Sequence, residues 1–171
     1  HTLDEVIASI GAIAGAAGVQ ERGDALMLEL RSRLNKVREK VENLAAPSVF
    51  VLEWIEPAFS SGHWVPDIIS SAGGKPLLAN AGSDSMVVTW DAIREAAPDI
   101  VLVAPCGYGL DESVAQAKSI LDKLPNCQVW AIDADAVIVR PGPRLIDGVE
   151  AIAAALHGVG VLPPKIIRRV R

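Results

Sequence analysis

The sequence predicts an α/β lobe with a short parallel sheet flanked by helices, preceded by a long helix. Three observations carry this expectation. Short runs rich in β-branched residues, 49–52, 100–104 and 129–132, read as buried strands. Helical patterns lie between and after them, the alternation that builds a parallel sheet covered on both faces, a Rossmann-like arrangement. Ahead of the first strand, Leu26, Leu30, Leu34, Val37, Val41 and Leu44 recur every three or four residues between charged side chains.

Leu3, Val6, Ile7, Ile10 and Ile13 have helical spacing, and Gly11, Gly15 and Gly18 weaken that helix and end it near Gly18. Thr2-Leu3-Asp4-Glu5 reads as an N-cap with a capping-box glutamate directly after a first residue, His1, that is not Met. We therefore expect a cut edge, with further chain upstream. The second helix is predicted over residues 20 to about 44, some 37 Å at 1.5 Å per residue, and Pro47 closes it. After strand 49–52 come a proline-started helix at 66–71, stopped by Gly73-Gly74, and a helix over 90–97 capped by Thr89. Strand 100–104, helix 112–124, strand 129–132 and helix 143–156 complete the lobe. The division is residues 1–18, a short helix; 19–46, the long helix; and 47–171, the α/β lobe.

With 50% apolar and 22% charged residues the chain can build a real core, which excludes disorder and disulfide-stapled mini-folds. Two cysteines, Cys106 and Cys127, allow at most one bridge and lack the spacing of a structural zinc site. No apolar run reaches the roughly 18 residues of a membrane-spanning helix. A net charge of -5 argues against a nucleic-acid partner. Lys165, Arg168, Arg169 and Arg171 are read as a solvated tail.

Ligands of such sheets sit beyond the carboxyl ends of the strands, so chemistry is sought in the loops that follow them. The first strand is expected to empty at Glu53 into a loop carrying Trp54, Phe59, Ser60, Ser61, His63 and Trp64. Three of the seven Phe, Trp and Tyr residues fall here, either as packing plugs or as an apolar platform for a large planar ligand with Glu53, the serines and His63 as polar contacts. The second strand ends in Pro105-Cys106-Gly107-Tyr108-Gly109, where glycines permit close approach of a ligand. Cys106 is a buried thiol or, with His63 or His157, a nucleophile. Arg140-Pro141-Gly142-Pro143-Arg144 is a stiff turn whose arginines either face an oxygen-rich ligand or pair with Asp133, Asp135 or Asp147. Neither G-x-G-x-x-G nor a P-loop is present.

Taken in order, Glu53-Trp54, Pro57, Gly62-His63-Trp64-Val65-Pro66, Ala72-Gly73-Gly74, Trp90-Asp91, Pro98-Asp99, Pro105-Cys106-Gly107-Tyr108 and Arg140-Pro141-Gly142-Pro143-Arg144 resemble the cobalamin-binding branch of the helical-backbone periplasmic-binding-protein family. These are substrate-binding components of ABC importers, with two α/β lobes joined by one rigid helix and the ligand between the lobes. The resemblance covers essentially the whole chain. It matches the linking helix and the C-terminal lobe, and implies that the N-terminal lobe, which should precede His1, is absent from these 171 residues.

The resemblance implies ligand contacts from Trp54, Phe59, His63 and Trp64 on the cleft wall, with Glu53, Ser85, Cys106, Gly107, Tyr108 and Arg140 nearby. A corrin ring is broad and apolar with an amide rim, which suits such a wall. Asp91 takes the position at which relatives present an acidic residue to the permease, and as the first-turn acid of its helix it also suits the helix dipole. The partners implied are a corrinoid as transported ligand, with no catalytic cofactor, and a membrane permease. The location implied is the periplasm or the cell surface as a lipoprotein. A ferric siderophore or haem is the alternative cargo of the same fold, with Arg140 and Arg144 holding an anion. From other classes come a thiol enzyme using Cys106 and a structural fragment whose open half-cleft pairs with another chain. His63 is read as a wall residue rather than a cobalt ligand, since no D-x-H-x-x-G motif is present. Uncovered ligand-side aromatics would favour a homodimer of this form.

Overall fold

A computed structural model describes residues 2–171. Two helices come first, α1 (Leu3–Ala16) and α2 (Gln20–Val41). The Thr2 hydroxyl accepts from the Glu5 amide at 3.3 Å and the Glu5 carboxylate accepts from the Thr2 amide at 2.9 Å, so the capping box forms. Gly15 lies beside Gln20 and Gly11 beside Met27, so the two helices run antiparallel. At 22 residues α2 is about 33 Å long, three residues shorter than its periodicity predicts, because Leu44 is exposed and adds nothing to the buried stripe.

The lobe contains β1 (Ser48–Ile55), β2 (Ala58–Ser60), α3 (Val65–Ser71), β3 (Lys75–Pro76), α4 (Trp90–Glu95), β4 (Ile100–Val103), α5 (Leu110–Ser119), β5 (Gln128–Ile132), α6 (Ala134–Val137), α7 (Leu145–His157) and β6 (Ile167–Arg169). Strands β3, β1, β4 and β5 are parallel, and β2 and β6 add antiparallel edges. The sheet is therefore mixed where the sequence predicts a parallel one.

Alternation along the strands divides two cores. Val49, Val51, Ile100, Leu102, Trp130 and Ile132 face α1, α2, α3 and α7; Phe50, Leu52, Val101, Val103, Val129 and Ala131 face α4 and α5. Each fully buried Val, Leu, Ile or Phe among them contributes about 1.5–3 kcal/mol of transfer free energy. The guanidinium of Arg33 on α2 bonds Asp147 at 2.6 Å and Glu150 at 2.7 Å on α7, fastening the long helix to the lobe.

Two expectations are corrected here. Glu53 and Trp54 belong to β1 rather than to a loop, because the hairpin to β2 prolongs the strand to Ile55. The carboxy-terminal residues are not a free tail, although Lys165, Arg168 and Arg169 are exposed: β6 pairs with β5, and the Arg171 guanidinium donates to the carbonyls of Leu121 (3.2 Å), Pro125 (2.5 Å) and Cys127 (3.1 Å). Both thiols are free, Cys106 beyond the carboxyl end of β4, where it is exposed rather than buried, and Cys127 before β5, at opposite ends of the sheet. Among the described residues no helix is long and apolar enough to cross a membrane.

Candidate functional site

A concavity of about 490 Å³ opens at the carboxyl ends of the parallel strands, lined by Glu53, Trp54, Phe59, His63, Trp64, Val65, Ser85, Cys106, Ile138 and Val139. It gathers seven of the ten residues expected to meet a ligand. A β-bulge starts it: Leu52 pairs with Ser60 and Trp54 with Phe59, so two steps of β1 oppose one of β2 and Glu53 is the extra residue. Regular alternation would send Trp54 to the same face as Phe50 and Leu52; after the bulge Ile55 packs there instead. Trp54 is left 39% exposed, with its indole N–H donating to the Glu56 carbonyl at 3.2 Å.

The opposite side of the wall comes from residues 62–64. Gly62 has the 83–85 segment pressed against it: a Cβ there would stand 2.4 Å from the Ser85 nitrogen and 2.5 Å from the Ser83 oxygen, distances no side chain tolerates. His63 follows with φ +54°, its amide donating to the Ser83 carbonyl at 2.6 Å and its imidazole 3.9 Å from the Asp84 carboxylate. Trp64 tucks its ring toward the first core and donates its indole N–H to the Ile138 carbonyl at 2.7 Å. The backbone pairing of Ser60 with Met86 and Ala58 with Val88 carries the 83–85 segment over β2.

That close approach delivers the Ser85 hydroxyl to the Glu53 carboxylate, to which it donates a hydrogen bond. Burial pushes the Glu53 carboxyl above its ordinary value, while the Ser85 bond and the nearby His63 pull the other way. The Cys106 amide donates to the Glu53 carbonyl at 3.1 Å, setting the β4 loop beside β1.

Gly107, Tyr108 and Arg140 lie outside this lining. Tyr108 packs on the far side of Trp54, ring centroids 5.8 Å apart at 59°, and lines with it a smaller cavity of about 170 Å³. Gly107 turns the chain toward that ring with φ +81°. The Arg140 guanidinium is paired with Asp135 at 2.7 Å, and Arg144 stands 3.8 Å from Asp147, the intramolecular alternative of the two that the turn leaves open. Asp91, in the first turn of α4, is exposed and pairs with Arg94. Val65, Ile138 and Val139 are the wall residues that sequence reasoning misses. They are ordinary aliphatics, and the one available signal is that Ile138-Val139 directly precedes Arg140 after the third strand. No group of three or more His, Cys, Asp or Glu side chains suited to a metal ion occurs among the described residues.

Comparison with known proteins decides the family, because the periplasmic binding protein family matches residues 1–136. The chain belongs to the periplasmic binding protein family. A vitamin B12-binding protein of Vibrio cholerae is 25% identical over 157 residues, covering 91% of this chain and 56% of the relative. A crystal structure of the periplasmic vitamin B12-binding protein of that species has a TM-score of 0.73 at 24% identity, covering 91% of this chain and 61% of that one. An uncharacterised ABC transporter substrate-binding lipoprotein of Bacillus subtilis is 25% identical over 166 residues, 92% of this chain and 51% of the relative. A periplasmic haem-binding protein of Pseudomonas aeruginosa reaches a TM-score of 0.79 at 18% identity, with 98% and 64% coverage. The chain thus spans about half the length of the curated relatives it matches. These relatives are binding proteins by name, and the solved vitamin B12-binding and haem-binding structures share the fold.

Proposed function

We propose that this chain is part of the substrate-binding component of an ABC importer, periplasmic or held at the cell surface, and that its concavity is one wall of a corrinoid site. The ligand, cobalamin, is captured against this lobe and a second wall and passed to the membrane permease without chemical change. The composition of the wall supports this reading. Trp54, Phe59 and Trp64 supply broad aromatic surface, and no Lys or Arg is among the lining residues. Haem propionates and the acidic groups of a ferric siderophore would meet a carboxylate where they need a cation, whereas an amide-rimmed ring finds acceptors and apolar surface. The greater fold similarity to a haem-binding protein does not alter that chemistry.

Titration of the complete gene product with cyanocobalamin, followed by its visible absorbance and by tryptophan emission, should give saturable binding. Trp54→Ala should weaken it tenfold or more, about 1.4 kcal/mol. Saturable binding of haem or of a ferric siderophore, with no response to cobalamin, would refute the corrinoid reading. Asp91 is assigned to permease docking: its side chain is 79% exposed and tied only within its own helical turn. Asp91→Ala should leave ligand affinity unchanged and slow uptake in a reconstituted importer. A second copy closing the wall is the competing occupant, visible as a dimer in sedimentation.

A further inference from the structure

We propose that Glu53 sets the charge of the ligand the wall accepts, admitting an amide and rejecting a carboxylate at the rim position that meets it. The proposal rests on the corrinoid reading and deepens it.

Its basis is the way the carboxylate is held. Glu53 follows Val49 and Val51 on the face of β1 toward Trp64 and Ile138, and as the extra residue of the bulge it has no partner on β2. It lines the concavity and, among the described residues, accepts one side-chain hydrogen bond, from the neutral hydroxyl of Ser85. An ionised carboxylate has about four lone-pair sites, so most of its accepting capacity is left for whatever enters. No Lys or Arg lines the cavity, and Arg140, the cation of the nearest turn, is engaged by Asp135 at 2.7 Å.

The groups around Glu53 are His63, itself within 3.9 Å of the Asp84 carboxylate, and the Cys106 loop, which touches it through the backbone. A carboxylate taken partly out of water without a full set of partners costs stability, and such groups cluster where a ligand completes them. The device is also supported from behind, because Gly62 admits the 83–85 segment only by lacking a Cβ and thereby fixes Ser85 against Glu53.

The probes are cyanocobalamin and its monocarboxylic acid derivatives, in which one rim amide is replaced by a carboxylate of the same shape. The complete gene product should bind the amide form at least tenfold more tightly than the best-discriminated acid. Glu53→Gln should erase that discrimination, read as the ratio of amide to acid affinity within the variant, whatever the change in absolute affinity. Glu53→Asp, which keeps the charge, should preserve it, separating charge from shape and serving as the test if the glutamine variant fails to fold. Discrimination that persists in Glu53→Gln, or is absent from the wild type, overturns the charge filter while cobalamin binding itself stands. Wild-type protein that binds haem and no corrinoid overturns both, since a dicarboxylate would then have passed Glu53.

Discussion

Gly62 is a position where one methyl group would dismantle the wall. Its missing Cβ lets the backbone of residues 83–85 lie at a distance that only glycine allows, and Ser85 reaches Glu53 as a result. Gly62→Ala should therefore lower stability by about 2 kcal/mol in urea denaturation, the scale of overpacking in a dense region, and weaken ligand binding at the same time. Glu53 offers a test of a different kind. Its carboxyl titrates above the usual 4.5 in the folded protein, so the folded state holds its proton more firmly than the unfolded state. Its contribution is fully present below pH 4.5 and declines as pH rises through the higher folded value. Glu53→Gln should raise Tm at pH 7 relative to wild type, and the gain should shrink toward about pH 4, where both states are protonated. Asp99 has the opposite sign: hydrogen bonds from the Ser48 hydroxyl (2.6 Å) and amide (2.7 Å) hold its carboxyl below the ordinary range. What it adds to stability is present at neutral pH and lost only as pH falls through that lowered value.

Single elements depend on contacts far away in sequence. The turn between α5 and β5 is closed by Arg171, whose guanidinium donates to the carbonyls of Leu121, Pro125 and Cys127. Arg171→Ala should lower stability by about 2 kcal/mol in urea denaturation, the scale of charge-assisted hydrogen bonds in a partly buried site. Arg33, on the face of α2 toward α7, pairs with carboxylates whose side chains are 33% and 43% exposed to water; Arg33→Ala should cost about 1 kcal/mol, and less at high salt. The difference between these arginines bears on what a sequence can disclose. Val49–Leu52, Ile100–Val103 and Val129–Ile132 are legible as strands because both faces are buried and every position is apolar. β6 is not, because Ile167 alone of its three residues is buried and the pairing with β5 supplies the rest. Trp54 and Trp64 stand out by their chemistry in a chain with few aromatics, while Ile138 and Val139 resemble any core aliphatic. Glu53 is legible as a polar residue near the wall, but the bulge that takes it out of the β1–β2 ladder and redirects Trp54 depends on the register of β2, which no local pattern records.

At the scale of the molecule, the helix pair is built onto the lobe rather than appended to it. Leu3, Val6, Ile7, Leu30, Leu34, Val37 and Val41 belong to the same buried cluster as the sheet face and α7. The Leu3 amide also donates to Asp67 of α3 at 3.1 Å. The backbone amides of α2 from Leu30 onward should then exchange with deuterium as slowly as those of α7, as one cooperative unit. Faster exchange confined to the two helices would show a hinge at residues 42–47 and contradict a rigid connection. The exposed Ile13 (67%) and Leu28 (73%) lie away from that cluster and can be replaced by polar residues without measurable loss of stability.

The two tryptophans of the wall carry a further consequence. Each indole N–H is already engaged by a carbonyl of this chain, Trp54 with Glu56 and Trp64 with Ile138. A ring so tethered cannot swing between rotamers without abandoning its bond, so its conformational entropy is surrendered during folding rather than at encounter. On the proposed function, a ligand arriving at this wall should meet tryptophans already held in place. Association through this wall should proceed in a single kinetic step, with no slower isomerisation of the aromatic side chains behind it.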